Sequence, residues 1–103
     1  MVWKVTPSPA ALRDLDAIQR WLLQPGSGVT ARAKLRRLIN SIRQLEHTPE
    51  RWPAGDHPGV REIPVEGCRV MYEVHSGMIT AQGVAGTVRI LRVFGPGQDR
   101  SAL

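Results

Sequence analysis

One cysteine, Cys68, occurs in 103 residues, so the chain cannot close an internal disulfide. Its extended, apolar surroundings predict a buried thiol, and the sequence reads as that of a cytoplasmic protein. The three histidines, His47, His57 and His75, are scattered without the spacing of a zinc site, and no glycine-rich phosphate loop or nucleophile elbow is present. Metal and nucleotide chemistry are therefore not indicated, and no cofactor is expected. No apolar run approaches the roughly 18–20 residues of a membrane span, and Pro7 and Pro9 interrupt the place where a signal peptide would be apolar. Neither export nor a membrane partner is expected. Aromatic residues make up only 5%, so a core of Leu, Ile, Val and Ala is expected, with Trp3, Trp21 and Trp52 as its largest pieces.

What is present is arginine. Twelve of the fourteen cations are Arg against nine Asp and Glu, and the net charge is +5. Such a balance favours a polyanionic partner, either nucleic acid or an acidic protein segment. The planar guanidinium fork holds phosphate or carboxylate at two points, which a lysine ammonium cannot do. With 42% hydrophobic residues, the chain has material for one domain over residues 1–103, with 98–103 as a polar tail.

The order of elements follows from periodicity. A short strand at Val2, Trp3, Lys4 and Val5 runs into Ser8, a good N-cap, with Pro9 at the first helical position. Leu12, Leu15, Ile18 and Leu22 then recur at helical spacing, with Ala11 and Trp21 beside the stripe. Asp16 and Arg20 are placed to pair on the wet side. Pro25, Gly26 and Gly28 break the pattern, and a second helix is read from Leu35, Leu38, Ile39, Ile42 and Leu45. Arg32, Lys34, Arg36, Arg37 and Arg43 lie between its apolar positions, a pattern that also suits a solvated face. Residues 47–59 hold three prolines and two glycines and read as a loop pinned by Trp52.

Two alternating runs follow, 60–65 and 68–74, hinged on Glu66 and Gly67. Period two puts Cys68, Val70, Tyr72 and Val74 on a core face, and Arg69, Met71, Glu73 and His75 on a face for water or ligand. Residues 76–87 fit either strand extension or a mobile loop. In the last strand, 88–94, Val88, Ile90, Arg92 and Phe94 share one face, while Arg89, Leu91 and Val93 share the other. Arg61, Arg69, Arg89 and Arg92 are thereby candidates for a cationic patch on the sheet. Ion pairs with Glu62, Glu66 and Glu73 are the structural alternative.

The opening Val5 to Leu15, the helical hairpin, the segment Gly59 to Val74 and the closing Val88 to Phe94 together resemble the RelE/ParE superfamily of type II toxins. The sharpest part is Arg69-Val70-Met71-Tyr72-Glu73-Val74, with Cys68 where that family often has an aromatic. The resemblance implies an α+β RelE-like fold of order β-α-α-β-β-β. Its N-terminal strand and helical hairpin would pack on a mainly antiparallel sheet. It also implies a toxin that arrests growth and is neutralised by a cognate antitoxin in a hetero-oligomer. ParE-like members inhibit DNA gyrase without nuclease chemistry, whereas RelE-like members cut mRNA on the ribosome.

The ending Ile90-Leu91-Arg92-Val93-Phe94-Gly95 looks more like ParE, so gyrase is the expected target, through Arg61, Arg69, Arg89, Arg92 and Phe94. The ribosome with mRNA is the alternative target. The chain lacks the terminal basic residue with Tyr or His that RelE-like members carry. A nuclease would have to draw on Arg69 for phosphate, with Glu73 and His75 for proton transfer. A non-toxic binding module is the third possibility. For the antitoxin, leucines on two helices with a basic exterior suggest an amphipathic, partly acidic segment held by Leu12, Leu15, Trp21, Arg36 and Arg43.

Overall fold

The computed structural model describes residues 2–77, 80–96 and 98. It is an α+β fold in the order β1 (Val2–Pro7), α1 (Pro9–Leu22), α2 (Gly28–Arg43), β2 (Arg61–Val65), β3 (Cys68–Ser76) and β4 (Val84–Phe94), with a 3-10 turn at Gln44–Glu46 after α2. The four strands form one sheet in the order β1-β4-β3-β2. β1 runs parallel to β4, and the other two pairings are antiparallel. The ambiguous 76–87 stretch is strand only at its ends, since Ser76 closes β3 and residues 84–87 open β4, while Gly77 and residues 80–83 lie outside the strands with a turn at Ala81 and Gln82. Met78, Ile79 and the terminal 99–103 lie outside the described residues. Among the described residues, no helix is long and apolar enough to cross a membrane.

Local chemistry sets the turns. Glu66 and Gly67 both have positive φ, 52° and 79°, the conformation a two-residue β2–β3 hairpin demands. Ser8 caps α1, accepting from the Ala11 N–H at 3.0 Å. Its hydroxyl also donates to the Leu91 carbonyl of β4 at 2.8 Å, and its N–H donates to the Ile90 carbonyl. One buried side chain thus starts the helix and ties it to the central strand. Ser8→Ala removes both side-chain bonds and should cost ~1–2 kcal/mol in urea unfolding. A loss below a few tenths would show that the Leu91 contact contributes nothing.

Both helices cover the same face of the sheet, where Ile18, Leu22, Leu38, Ile42 and Leu45 meet Ile63, Val70, Tyr72, Val88, Ile90 and Val93. The expected stripe of α1 is rotated. Ala11 is fully buried, whereas Leu12 is 55% exposed and Trp21 56% exposed. A methyl at position 11 allows close approach to the sheet, and that phase swings Leu12 and Trp21 outward. Trp21 is therefore not core, while Trp3 and Trp52 pack against it as expected.

The opposite face of the sheet is not simply wet. Val60, Met71 and Phe94 form a second small cluster there, with Leu91 against it. A register shift in the β3–β4 ladder explains the phase of the last strand. Tyr72 pairs with Ile90 but Met71 pairs with Arg92, leaving Leu91 as an extra residue. Strict alternation would have put Arg92 and Phe94 on the face of Val88 and Ile90. The bulge instead turns Val93 into the core and Phe94 into the second cluster.

Candidate functional site

The sheet arginines separate into two kinds. Arg61 lies opposite Tyr72 on the helix side and donates to the Glu50 and Trp52 carbonyls, fastening the preceding loop. Arg92 leaves β4 beyond the point where β1 ends and forks onto Asp14 of α1, with Nε–Oδ2 at 2.7 Å and a second bond at 3.0 Å. The Val93 N–H also donates to Asp14 at 2.9 Å, and the Arg92 guanidinium carbon lies 4.7 Å from the centre of the Phe94 ring. The Asp14 carboxylate raises the pKa of Arg92 further. Arg61 and Arg92 thus have intramolecular partners, and Phe94 is buried. The expected four-arginine patch does not assemble, and the carboxylates proposed for pairing are replaced by Asp14 and by loop carbonyls.

Arg69 and Arg89 remain on the outer face. Arg89 is exposed and lies opposite Glu73, while Arg69 is half-buried and lies opposite Phe94. Among the described residues, no hydrogen bond or ion pair holds the Arg69 guanidinium. It opens onto a groove of about 410 Å³ between β2, β3 and the incoming loop, lined also by Trp52, Pro53, Asp56, Glu62 and Pro64. Glu62 is held from above, because its carboxylate accepts the Asp56 N–H at 2.9 Å and passes beneath Gly55. A Cβ at Gly55 would sit 1.4 Å from a Glu62 oxygen, so a side chain there would push the Glu62 carboxylate out of its present place.

Glu62, Asp56 and Trp52 were not legible as site residues. Pairing of 53–55 along β2 folds the loop back over them, and no local signal announces that. Glu73 and His75 share the face of Arg69 but do not converge on it. At about 3.3 Å per residue, their backbones stand roughly 13 and 20 Å away along β3. Their side chains approach each other instead, with His75 Nε2 at 3.9 Å from Glu73 Oε2.

The helical hairpin offers the other surface. Trp21 projects between three recesses. It meets Asp14, Ile18, Gly95 and Pro96 on one side, and Gln24, Thr30 and Lys34 on another. Beneath it, a small cavity reaches Leu38, Glu66 and Cys68. Arg37 of α2 binds Glu66, whose carboxyl is held below the usual range by that hydrogen bond. Burial, reinforced by the nearby Glu66, pushes the Cys68 thiol up, so it stays protonated at neutral pH. Leu12 is exposed and Leu15 half-buried on α1. Arg36 and Arg43 are exposed on α2, where they flank a separate groove.

Comparison with known proteins accords with this architecture. Among curated proteins none matches. Several solved structures share the fold, two toxin–antitoxin systems among them. The chromosomal ParDE toxin–antitoxin system from P. aeruginosa has a TM-score of 0.67 at 17% identity, covering 91% of this chain and 96% of that one. The RelBE2 toxin–antitoxin complex of Mycobacterium tuberculosis has a TM-score of 0.56 at 21% identity, covering 92% and 99%. The family model for the ParE toxin of the parDE type II toxin–antitoxin system matches residues 5–99. With that match spanning the second half of β1, both helices and β2 to β4, the chain belongs to the ParE toxin family of type II toxin–antitoxin systems.

Proposed function

We propose that this toxin inhibits DNA gyrase rather than cutting RNA, and that a cognate antitoxin silences it by covering the helical hairpin. The observation that carries the first part is the spacing on β3. Cleavage through the 2′-hydroxyl needs a base, a cation and an acid around one phosphate. Here Arg69, Glu73 and His75 are strung out along a strand instead of converging. Arg69, with Arg89 on the same face, supplies charge for binding an acidic or phosphate-bearing surface without supplying proton transfer. On the hairpin, Trp21 and Leu12, exposed on opposite flanks of α1, with Leu15 half-buried near Leu12, are the apolar anchors offered to the antitoxin.

One observation favours the alternative of mRNA cleavage on the ribosome. Glu62 and Arg69 line the same groove with Trp52, a carboxylate, a cation and an aromatic face together. The two readings separate cleanly in cells. Gyrase inhibition leaves polysomal mRNA intact while changing plasmid supercoiling and inducing the DNA-damage response. Codon-phased cuts that vanish in Glu62→Gln, with supercoiling unchanged, would select the nuclease. Arg69→Ala should keep its fold and its antitoxin while losing toxicity, because one charge-assisted contact of ~1.5–3 kcal/mol corresponds to a tenfold or greater loss in target binding. Full toxicity in Arg69→Ala would remove this groove from the target-binding surface.

A further inference from the structure

The groove between β2, β3 and the incoming loop brings an acceptor, a donor and apolar walls within a short span. Its volume of about 410 Å³ lies in the range of small-molecule sites. Register places the two charges. Glu62 pairs with Met71 and Pro64 with Arg69, so Glu62 and Arg69 share the outer face on neighbouring strands. Two residues of rise and one strand spacing put their backbones roughly 8 Å apart. Both side chains are half-buried, and the Glu62 carboxylate is oriented by the Asp56 N–H at 2.9 Å. The Arg69 guanidinium has no hydrogen-bond or ion-pair partner among the described residues. Trp52, Pro53 and Pro64 supply the apolar walls, and Asp56 adds a second carboxylate.

We infer that this groove is a binding site for a guanine nucleotide, with the base edge on Glu62 and the phosphate on Arg69. An ionised carboxylate only accepts, so the ligand must bring donors to Glu62, and it must bring an anion to Arg69. A bare phosphate or an acidic peptide fails the first requirement, because Glu62 and Asp56 would repel it. A lysine or arginine side chain fails the second. A nucleotide meets both, since its base edge and its phosphate are separated by a comparable length, and its planar ring suits the apolar walls. Among the bases, guanine alone presents two adjacent donors, N1–H and the N2 amino group, to the two oxygens of one carboxylate. Adenine and cytosine offer one amino group beside an acceptor nitrogen, which would face the carboxylate unanswered. The assignment stands on the groove alone and holds whether the target of the toxin is gyrase or the ribosome.

Titration calorimetry on the full chain is the test. Guanosine monophosphate should bind at least about tenfold more tightly than adenosine monophosphate, the scale of one bidentate base contact. Inosine monophosphate, which lacks the N2 amino group, should fall between them. Glu62→Gln keeps a carbonyl oxygen for the Asp56 N–H, so the loop stays in place, but it should erase the preference for guanine. Arg69→Ala should lower guanosine monophosphate to the affinity of guanosine and leave guanosine itself unchanged. Residues that merely pin the loop would alter all the nucleotides alike, and that result would overturn the assignment. A thymidine hexamer carrying one guanine identifies the source. Tighter binding than the mononucleotide assigns the groove to a single strand, and weaker binding assigns it to the free nucleotide. Binding of no nucleotide, equal binding of all three, or inorganic phosphate binding as tightly as guanosine monophosphate would also overturn it. The gyrase reading is decided separately, by supercoiling and mRNA integrity in cells.

Discussion

Asp14→Ala should destabilise the fold by about 3 kcal/mol or more, a large part of the roughly 5–15 kcal/mol available to a small domain. The Asp14 side chain is only 13% exposed and receives three charge-assisted bonds, two from Arg92 and one from the Val93 backbone. Removing it leaves a cation and an N–H together in a partly dry place, and an unanswered buried group costs more than a made bond returns. Arg92→Ala should be milder, about 1–2 kcal/mol, because the Asp14 carboxylate would keep the Val93 N–H. The order of the two variants in urea midpoint is the test. Equal or reversed effects would mean that the arginine, not the carboxylate, organises this edge. The comparison also bears on toxicity. Any loss of activity in Arg92→Ala must be corrected for unfolded protein before it is assigned to gyrase contact.

Tyr72→Ala should cost ~3–5 kcal/mol, since it empties the largest fully buried side chain of the core. Tyr72→Phe isolates the hydroxyl, which donates to the Pro49 carbonyl at 2.6 Å, and should cost ~1–3 kcal/mol. Burial pushes the Tyr72 phenol up to about 12, against about 10 in an unfolded chain. Above pH 10 the unfolded state therefore sheds a proton that the folded state keeps. Stability is intact below that pH and falls as pH rises from about 10 to about 12, by an amount on the order of 2 kcal/mol. Cys68 acts in the same direction, because its thiol is also raised by burial. Tyr72→Phe should flatten most of this alkaline loss. A wild-type protein equally stable at pH 9 and pH 11 would contradict the burial of the phenol.

These two residues mark what sequence can disclose. The core role of Tyr72 was legible because period two alone places Cys68, Val70 and Tyr72 together, although Met71 between them is buried too, on the opposite face. Ser8 and Pro9 announced the start of α1, and Glu66 with Gly67 announced the hairpin, for equally local reasons. Asp14 was not legible. Its partners are 78 and 79 residues away, and the bulge at Leu91 that redirects Arg92 depends on the register of another strand. The same limit hid the engagement of Arg61 with its loop and the tucking of Glu62 beneath Gly55. On the helices, spacing identified an apolar stripe but not its centre. Close approach at Ala11 set that centre, and the displaced Leu12 and Trp21 became surface.

The margins of the sheet have a consequence for the chain when its partner is absent. On β2 the outer edge is met by residues 53–55, through the Ala54 to Arg61 bridge and the bonds of Gly55 and Glu62, and Pro64 has no N–H to offer. At the other margin β1 carries exposed Lys4 and ends at Pro7. Prolines and a lysine on terminal strands deny an incoming chain the continuous ladder that fibril growth requires. Without its antitoxin, the toxin should therefore persist as dispersed, folded molecules rather than stack edge to edge into aggregates.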